Sequence, residues 1–347
     1  MKLVFTICSN NYLAQAKILG DSFLEYHPDW KFIIGLCDEL SDDIDYSFFE
    51  SIEIIPVSVI GIYCFDEIIE KYDIIELNTS IKPSFFKYLI NKYEDLKTII
   101  YFDPDIQIFN KISLLEEYLK FDDILITPHI LNPIGVDNLS PSENLFLNFG
   151  IYNLGFLALN PKSQNTLSLL DWWEEKTLKI GYNRVSEGLF VDQLWINLVP
   201  IFFKKVKILS EYGFNAAPWN LHERNLVVKA NGDYMMSDNS KLVFYHFSSY
   251  NYNMPEFFSR AYNRYNYVVL SNEIQQLYAD YQSRLLINKV DFLSKIKCCY
   301  IQNKKVIIKK KPNLLRIILY NLTPPLLSKG VDNFYSIIRN IIKISRF

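Results

Sequence analysis

The sequence predicts an α/β fold: a Rossmann-like, mostly parallel central sheet flanked by helices, with a helical and basic C-terminal extension. Three observations carry this expectation. Short apolar runs of strand length recur through the first half of the 347 residues. Stretches of helical character separate them. The runs are continuous rather than alternating, as in parallel strands buried on both faces.

The elements follow in order. LVFTIC at 3–8 is the first strand; Ser9 and Asn10 follow as turn or N-cap residues, then a helix over about 12–26. KFIIGLC at 31–37 and IEIIPV at 52–57 are the second and third strands, with helices expected at 63–72 and 84–93. TIIYF at 98–102 is the fourth strand and ends at Asp103. Further strands are expected at 124–128, 155–160 and 241–247, helices at 163–178 and 188–198, and helical chain over about 255–297. This gives one domain over residues 1–250, a helical extension at 251–299 and a distinct segment at 300–347.

Half of the residues are hydrophobic and 22% are charged, which supplies a large core and argues against disorder. The five cysteines, Cys8, Cys37, Cys64, Cys298 and Cys299, contain no CxxC pair and read as reduced cytosolic thiols. The start, MKLVFTICSNNY, lacks the long apolar core of a signal peptide, and no run is apolar and long enough to suggest a spanning helix. The net charge of −3 hides an asymmetry: residues 300–347 carry ten Lys or Arg and one acid, Asp332, leaving −12 for residues 1–299. An acidic body excludes nucleic acid as the expected partner. In the tail, Phe334, Ile337, Ile338, Ile341 and Ile342 fall on one helical face, with Arg339, Lys343 and Arg346 off it. That pattern fits either packing on the body or adsorption to an anionic membrane surface, and the charge asymmetry favours the membrane.

The stretch IIYFDPDIQIFN places Asp103 and Asp105 around a proline at the end of a core strand. Carboxylates beside a core strand are costly unless neutralised. Ligands in such sheets bind beyond the C-terminal strand ends. Pro104 stiffens the turn, and two carboxylates held there suit Mg²⁺ or Mn²⁺. Asp43-Ile44-Asp45 has the same spacing in a polar stretch and reads as solvated surface. His246, at the end of another apolar run, would favour Mn²⁺ over Ca²⁺ as a third ligand. Asp192-Gln193 lies among apolar residues and is expected to be partly buried.

These blocks, in this order, resemble metal-dependent glycosyltransferases of the GT-A fold, most nearly family 8, which includes bacterial lipopolysaccharide galactosyl- and glucosyltransferases. The resemblance covers about residues 1–250, through LVFTICSNNY and its following helix and strand, YFDPDIQIF, YNLGFLALN, DQLWIN and YHFSSYN. It implies that Asp103, Asp105 and His246 bind the metal, with Asp103 also reaching the donor ribose. It implies that Thr6, Ser9, Asn11 and Tyr12 hold the nucleotide, that Lys82 supplies a positive charge to the donor, and that Asn153, Asp192 and Gln193 face the transferred sugar. The family's Lys-containing run after the histidine has no counterpart in FSSYNYNMPEF.

The implied reaction moves a hexosyl group, of galactose or glucose type, from a nucleoside diphosphate sugar to a hydroxyl. The implied acceptor is a lipid-linked glycan, a growing lipopolysaccharide, O-antigen or capsule chain, at the cytoplasmic face of the inner membrane. Retention is favoured by the resemblance; inversion would need a base, for which Asp192, His222 and Glu223 are candidates. A sugar-1-phosphate nucleotidyltransferase would want a glycine-rich loop after the first strand, and TICSNNYLAQAK has no glycine. An aspartyl phosphatase would carry its acid pair on the first strand, with Thr or Val where Gln107 stands. The remaining alternative is a non-catalytic carbohydrate-binding or polysaccharide-assembly protein on the same fold.

Overall fold

The computed structural model describes residues 1–229, 232–255, 258–259, 262–264 and 271–301. The basic segment expected to meet the membrane therefore lies, from residue 302 onward, outside the described residues.

Seven strands form the central sheet. β1 (Lys2–Cys8), β2 (Lys31–Leu36), β3 (Glu53–Pro56) and β4 (Thr98–Phe102) are mutually parallel, with β1 between β4 and β2. After the short β5 (Ile106–Ile108) come β6 (Ile124–Pro128) and β7 (Tyr152–Leu159), and β7 runs antiparallel between β4 and β6. The hairpin strands β8 (Asn183–Arg184) and β9 (Leu189–Phe190) pair apart from the sheet. β10 (Val206–Ile208) closes the far edge beside β6, giving the order β10-β6-β7-β4-β1-β2-β3. β11 (Leu226–Val228) pairs with β12 (Tyr234–Met236), and β13 (Phe244–His246) pairs antiparallel with β5.

Alternating side chains explain why these strands read as unbroken apolar runs. Val4, Cys8, Ile100 and Phe102 enter one core, beneath α1 (Leu13–Tyr26). Leu3, Phe5, Ile7, Ile99 and Tyr101 enter a second core on the opposite face. That face is covered by residues of α2 (Phe65–Lys71), α3 (Ile74–Ser80) and α4 (Lys82–Lys92), and further along by Leu169, Leu170 and Trp173. α5 (Ser113–Tyr118) and α6 (Glu143–Phe149) lie between sheet strands in sequence, and α7 (Gln164–Ile180) and α8 (Val199–Phe202) complete the set up to β10. Gly35 on β2 lets α4 approach: a Cβ there would stand 2.8 Å from the Phe85 ring. α9 (Asn272–Ile287) and α10 (Val290–Leu293) add Ile274, Tyr278, Tyr281 and Val290 to the α1 core. Met1–Gln302 is one compact unit.

Three expectations are corrected. The helix expected at 188–198 is instead β9 followed by a 3-10 turn at Leu194–Leu198, with Val191 at φ +40°. Tertiary hydrogen bonds from Gln193 override local propensity there. The strand expected at 241–247 is confined to β13; before it, Leu242 and Val243 give their N–H groups to the Tyr234 and Gly213 carbonyls. The helical chain expected from 255 begins at Asn272 among the described residues. α3 was missed, although its capping box, Asp73 with Glu76, is written in the sequence.

Candidate functional site

The parallel strands bring their C-terminal ends to one edge of the sheet, and the antiparallel β7 brings its first residues there too. Asp103 leaves β4, its N–H donating to the Gly155 carbonyl at 2.8 Å. A tight turn, in which Ile106 N–H donates to the Asp103 carbonyl at 3.1 Å, places Asp105 directly before β5. Pairing of Ile106 with His246 across β5 and β13 then carries the imidazole to the same point. His246 Nε2 lies 3.0 Å from Asp105 Oδ1 and 3.9 Å from Asp103 Oδ2. One ligand atom from each of the three residues falls within 4.8 Å of the others. Asp43 and Asp45 are exposed, and Asp45 caps a turn by accepting from Ser47 N–H.

The donor set fits a hard divalent cation: two carboxylates and one imidazole, partly open on the carboxylate side. Burial pulls the His246 pKa down, but Asp105 and then Asp103 outweigh it, so the net shift is upward. A Cβ on Gly155 would stand 2.6 Å from His246 Cε1, so only glycine lets the ring lie against β7. His246 Nδ1 is buried and has no hydrogen-bond partner.

Lys82, the first residue of α4, is the positive partner beside the cluster. It is 2% exposed; its Nζ lies 2.7 Å from Asp192 Oδ2 and 3.8 Å from Asp103 Oδ1, and donates to the Leu154 carbonyl at 3.1 Å. It also sits over the Tyr101 ring, whose hydroxyl donates to Asp103 Oδ1 at 2.7 Å. Burial raises the Asp192 pKa, opposed by Lys82. Asp103 and Asp192 thus share one ammonium, and among the described residues Asp105 pairs only with His246, a surplus of negative charge suited to a cation.

The other predicted residues separate into groups. Tyr12 is 43% exposed, yet desolvation of its phenol, then Asp105 and Asp103, push its pKa up to about 12, so it borders the cluster. Asn11 is half-buried in the same turn. Thr6 is fully buried within β1, and its hydroxyl has no partner. Ser9 donates to the Cys37 carbonyl at 3.1 Å and accepts from Asn78 at 3.0 Å. Gln193 is held at both ends, accepting from Leu154 N–H at 2.9 Å and donating to the Phe149 carbonyl at 2.9 Å. Of the alternative bases, Glu223 accepts from the backbone amides of Leu131 and Asn132, and His222 is half-buried, its pKa lowered first by burial.

Sequence reasoning named Asn153 but missed His129 and Asn215, its partners in a polar layer behind the cluster. Asn153 Oδ1 accepts from Gly155 N–H and from Asn215, both at 3.2 Å, and its amide nitrogen lies 3.3 Å from His129 Nε2. His129 Nδ1 faces the Ile151 carbonyl at 3.3 Å, which makes Nε2 the acceptor for Asn153. Burial lowers the His129 pKa to about 4. Trp219 packs edge-on to both His129 and His246. The available signal was position: His129 directly follows the strand ILITP, as Asp103 follows TIIYF.

No family model matches the chain. YfnF of Bacillus subtilis strain 168, an uncharacterized protein, is 25% identical over 248 residues, 71% of this chain and 80% of that protein. YfnD of the same organism, also uncharacterized, is 22% identical over 175 residues, 49% of this chain and 52% of the other. Among solved structures, the galactosyltransferase LgtC in complex with donor and acceptor sugar analogs aligns with a TM-score of 0.46 at 14% identity, covering 83% of this chain and 96% of that one. Mouse xyloside xylosyltransferase 1 aligns at 0.43 and 14% identity, covering 72% and 98%. The glycosyltransferase GlyE of Streptococcus pneumoniae TIGR4 aligns at 0.43 and 12% identity, covering 85% and 65%.

Proposed function

We propose that this protein is a metal-dependent glycosyltransferase that moves a hexosyl group from a nucleoside diphosphate sugar, a UDP-sugar in the first instance, to a hydroxyl of a growing glycan. The observation that carries this reading is the convergence of Asp103, Asp105 and His246 at the ligand edge of the sheet. The ordered sequence blocks around them supply the substrate class.

Asp103, Asp105 and His246 would hold Mn²⁺ or Mg²⁺. When bound, that ion supplies Lewis acidity to a departing diphosphate. The chain's own residues do the rest. Lys82 lies 2.7 Å from Asp192 in a buried position, opposing the upward push of burial on its pKa, and adds positive charge beside Asp103. Asp192 stands one residue from Gln193, whose amide pins the chain at Phe149 and Leu154. In the retaining course, favoured by resemblance, this pair stabilises an oxocarbenium-like centre while the acceptor attacks on the leaving-group face. An inverting course would need a base, and the Glu223 carboxylate is already occupied by backbone amides, which leaves Asp192 and His222. Tyr12, beside Asp105, is the part-exposed wall of the nucleotide side.

The acceptor in this reading is a lipid-linked glycan of lipopolysaccharide, O-antigen or capsule type, met at the cytoplasmic face of the inner membrane. The basic segment at 300–347 would bring the enzyme there. No helix among the described residues is long and apolar enough to cross a membrane.

A screen of nucleoside diphosphate sugars for nucleotide release, with Mn²⁺, Mg²⁺ or EDTA, tests the assignment. Turnover should require the metal and be abolished in Asp105→Asn with the fold intact. Full activity in EDTA would sink the metal reading. Absence of any thermal shift with UDP, GDP or CMP, with and without Mn²⁺, would favour the non-catalytic alternative.

A further inference from the structure

We propose that the Tyr281 hydroxyl, on α9, donates a hydrogen bond to an oxygen ligand held at the Asp103–Asp105–His246 cluster, either a phosphate oxygen or a water on the bound cation. Tyr281 is 1% exposed, and its hydroxyl is enclosed with no hydrogen-bond partner. A buried donor left unpaired is costly, and a phenylalanine would fill the same space without that cost. Its neighbours show the contrast: the hydroxyls of Tyr245 and Tyr278, in the same aromatic group, lie 3.2 Å apart and bond to each other.

The position of the orphan hydroxyl points to the cluster. The Tyr281 ring lies face to face on Phe247, with centroids 3.7 Å apart and planes at 4°. Phe247 follows His246 and donates its N–H to the Asp105 carbonyl at 2.9 Å. The stack therefore seats the Tyr281 ring on the residue that joins His246 to the Asp105 backbone. Burial first, then the charge of Asp105 and the phenols of Tyr12 and Tyr250, hold Tyr281 protonated and so a donor. Asp105 Oδ1 is engaged by His246, and among the described residues no Lys or Arg forms an ion pair with Asp105. That side of the cluster thus offers O–H groups where Asp103 has an ammonium. A metal-held oxygen would satisfy the phenol.

The inference rests on the metal-binding part of the proposed function, and its test separates the two. Full-length protein and Tyr281→Phe, which keeps the stack on Phe247, are titrated calorimetrically with Mn²⁺ alone. The Mn²⁺-loaded forms are then titrated with inorganic pyrophosphate. The expected result is a variant with equal or higher Tm and roughly tenfold weaker pyrophosphate binding, the effect of one hydrogen bond to a charged group. A tenfold loss confined to Mn²⁺ itself would assign the oxygen to a water on the cation. Unchanged affinity in both arms would overturn the inference and leave Tyr281 a packing residue. If the wild-type chain bound neither probe, the proposed function would fall, and this inference with it.

Discussion

Lys82 ties Asp192, Asp103 and the Leu154 carbonyl together at one buried point. It neutralises Asp192 in a place where neither group reaches water. Removing one partner of such a pair leaves a buried uncompensated charge, which costs about 3–5 kcal/mol. Lys82→Met should therefore lower the urea midpoint sharply, and adding Asp192→Asn should recover part of the loss. Gly155→Ala acts differently: its methyl would meet His246 Cε1 at 2.6 Å. Mn²⁺ affinity should fall at least tenfold, read by titration, while the far-UV circular dichroism stays native. His129 makes stability depend on pH. Its folded pKa of about 4 lies below the ordinary 6.5, so the unfolded chain takes up the proton first. Its contribution is complete above pH 6.5 and is lost as pH falls from 6.5 towards 4. The loss reaches about 3 kcal/mol at most. Subtracting the pH–stability curve of His129→Gln from that of the wild type isolates this slope; a flat difference would refute it.

At the scale of elements, the site is assembled by pairing rather than by any one segment. β4 supplies Asp103, the turn into β5 supplies Asp105, and β13 supplies His246 only because it pairs with β5. α1 braces the ribbon, with Ser22 accepting from Ile108 N–H at 3.1 Å. α3 directs the chain into α4 and so to Lys82. Its Asp73 cap accepts from the amides of Ile75 and Glu76, both at 2.9 Å. Asp73→Ala should cost about 1 kcal/mol, seen as a lower urea midpoint at unchanged slope. The 188–198 stretch shows why a helical pattern failed. Its apolar residues face two different neighbours, and Trp173 Nε1–H, donating to the Asp192 carbonyl at 3.0 Å, takes a backbone acceptor that a helix would have used.

At the scale of the whole molecule, the last described residues return to the sheet edge. Cys299 N–H donates to Asp38 at 2.9 Å, and the Tyr300 hydroxyl bonds Glu39. A truncation that tests the basic segment should therefore keep Ile301. Chains ending there should lose binding to anionic vesicles, while full-length protein binds them in a salt-sensitive way and ignores neutral ones. Equal sedimentation of both forms with anionic vesicles would remove the membrane assignment.

The sequence by itself determined the buried strands, their alternation with helices and the strand-end address of Asp103 and Asp105, because continuous apolar runs and turn residues are local signals. It also marked His246 as standing at a strand end. Tertiary structure decided the partners: the Lys82 ammonium between Asp192 and Asp103, the glycine beneath His246, the His129–Asn153–Asn215 layer and the orphan phenol of Tyr281. Those contacts join residues far apart in the chain, as Lys82 and Leu154 are by 72 positions. Burial and pairing set their energies, and neither leaves a pattern in neighbouring residues.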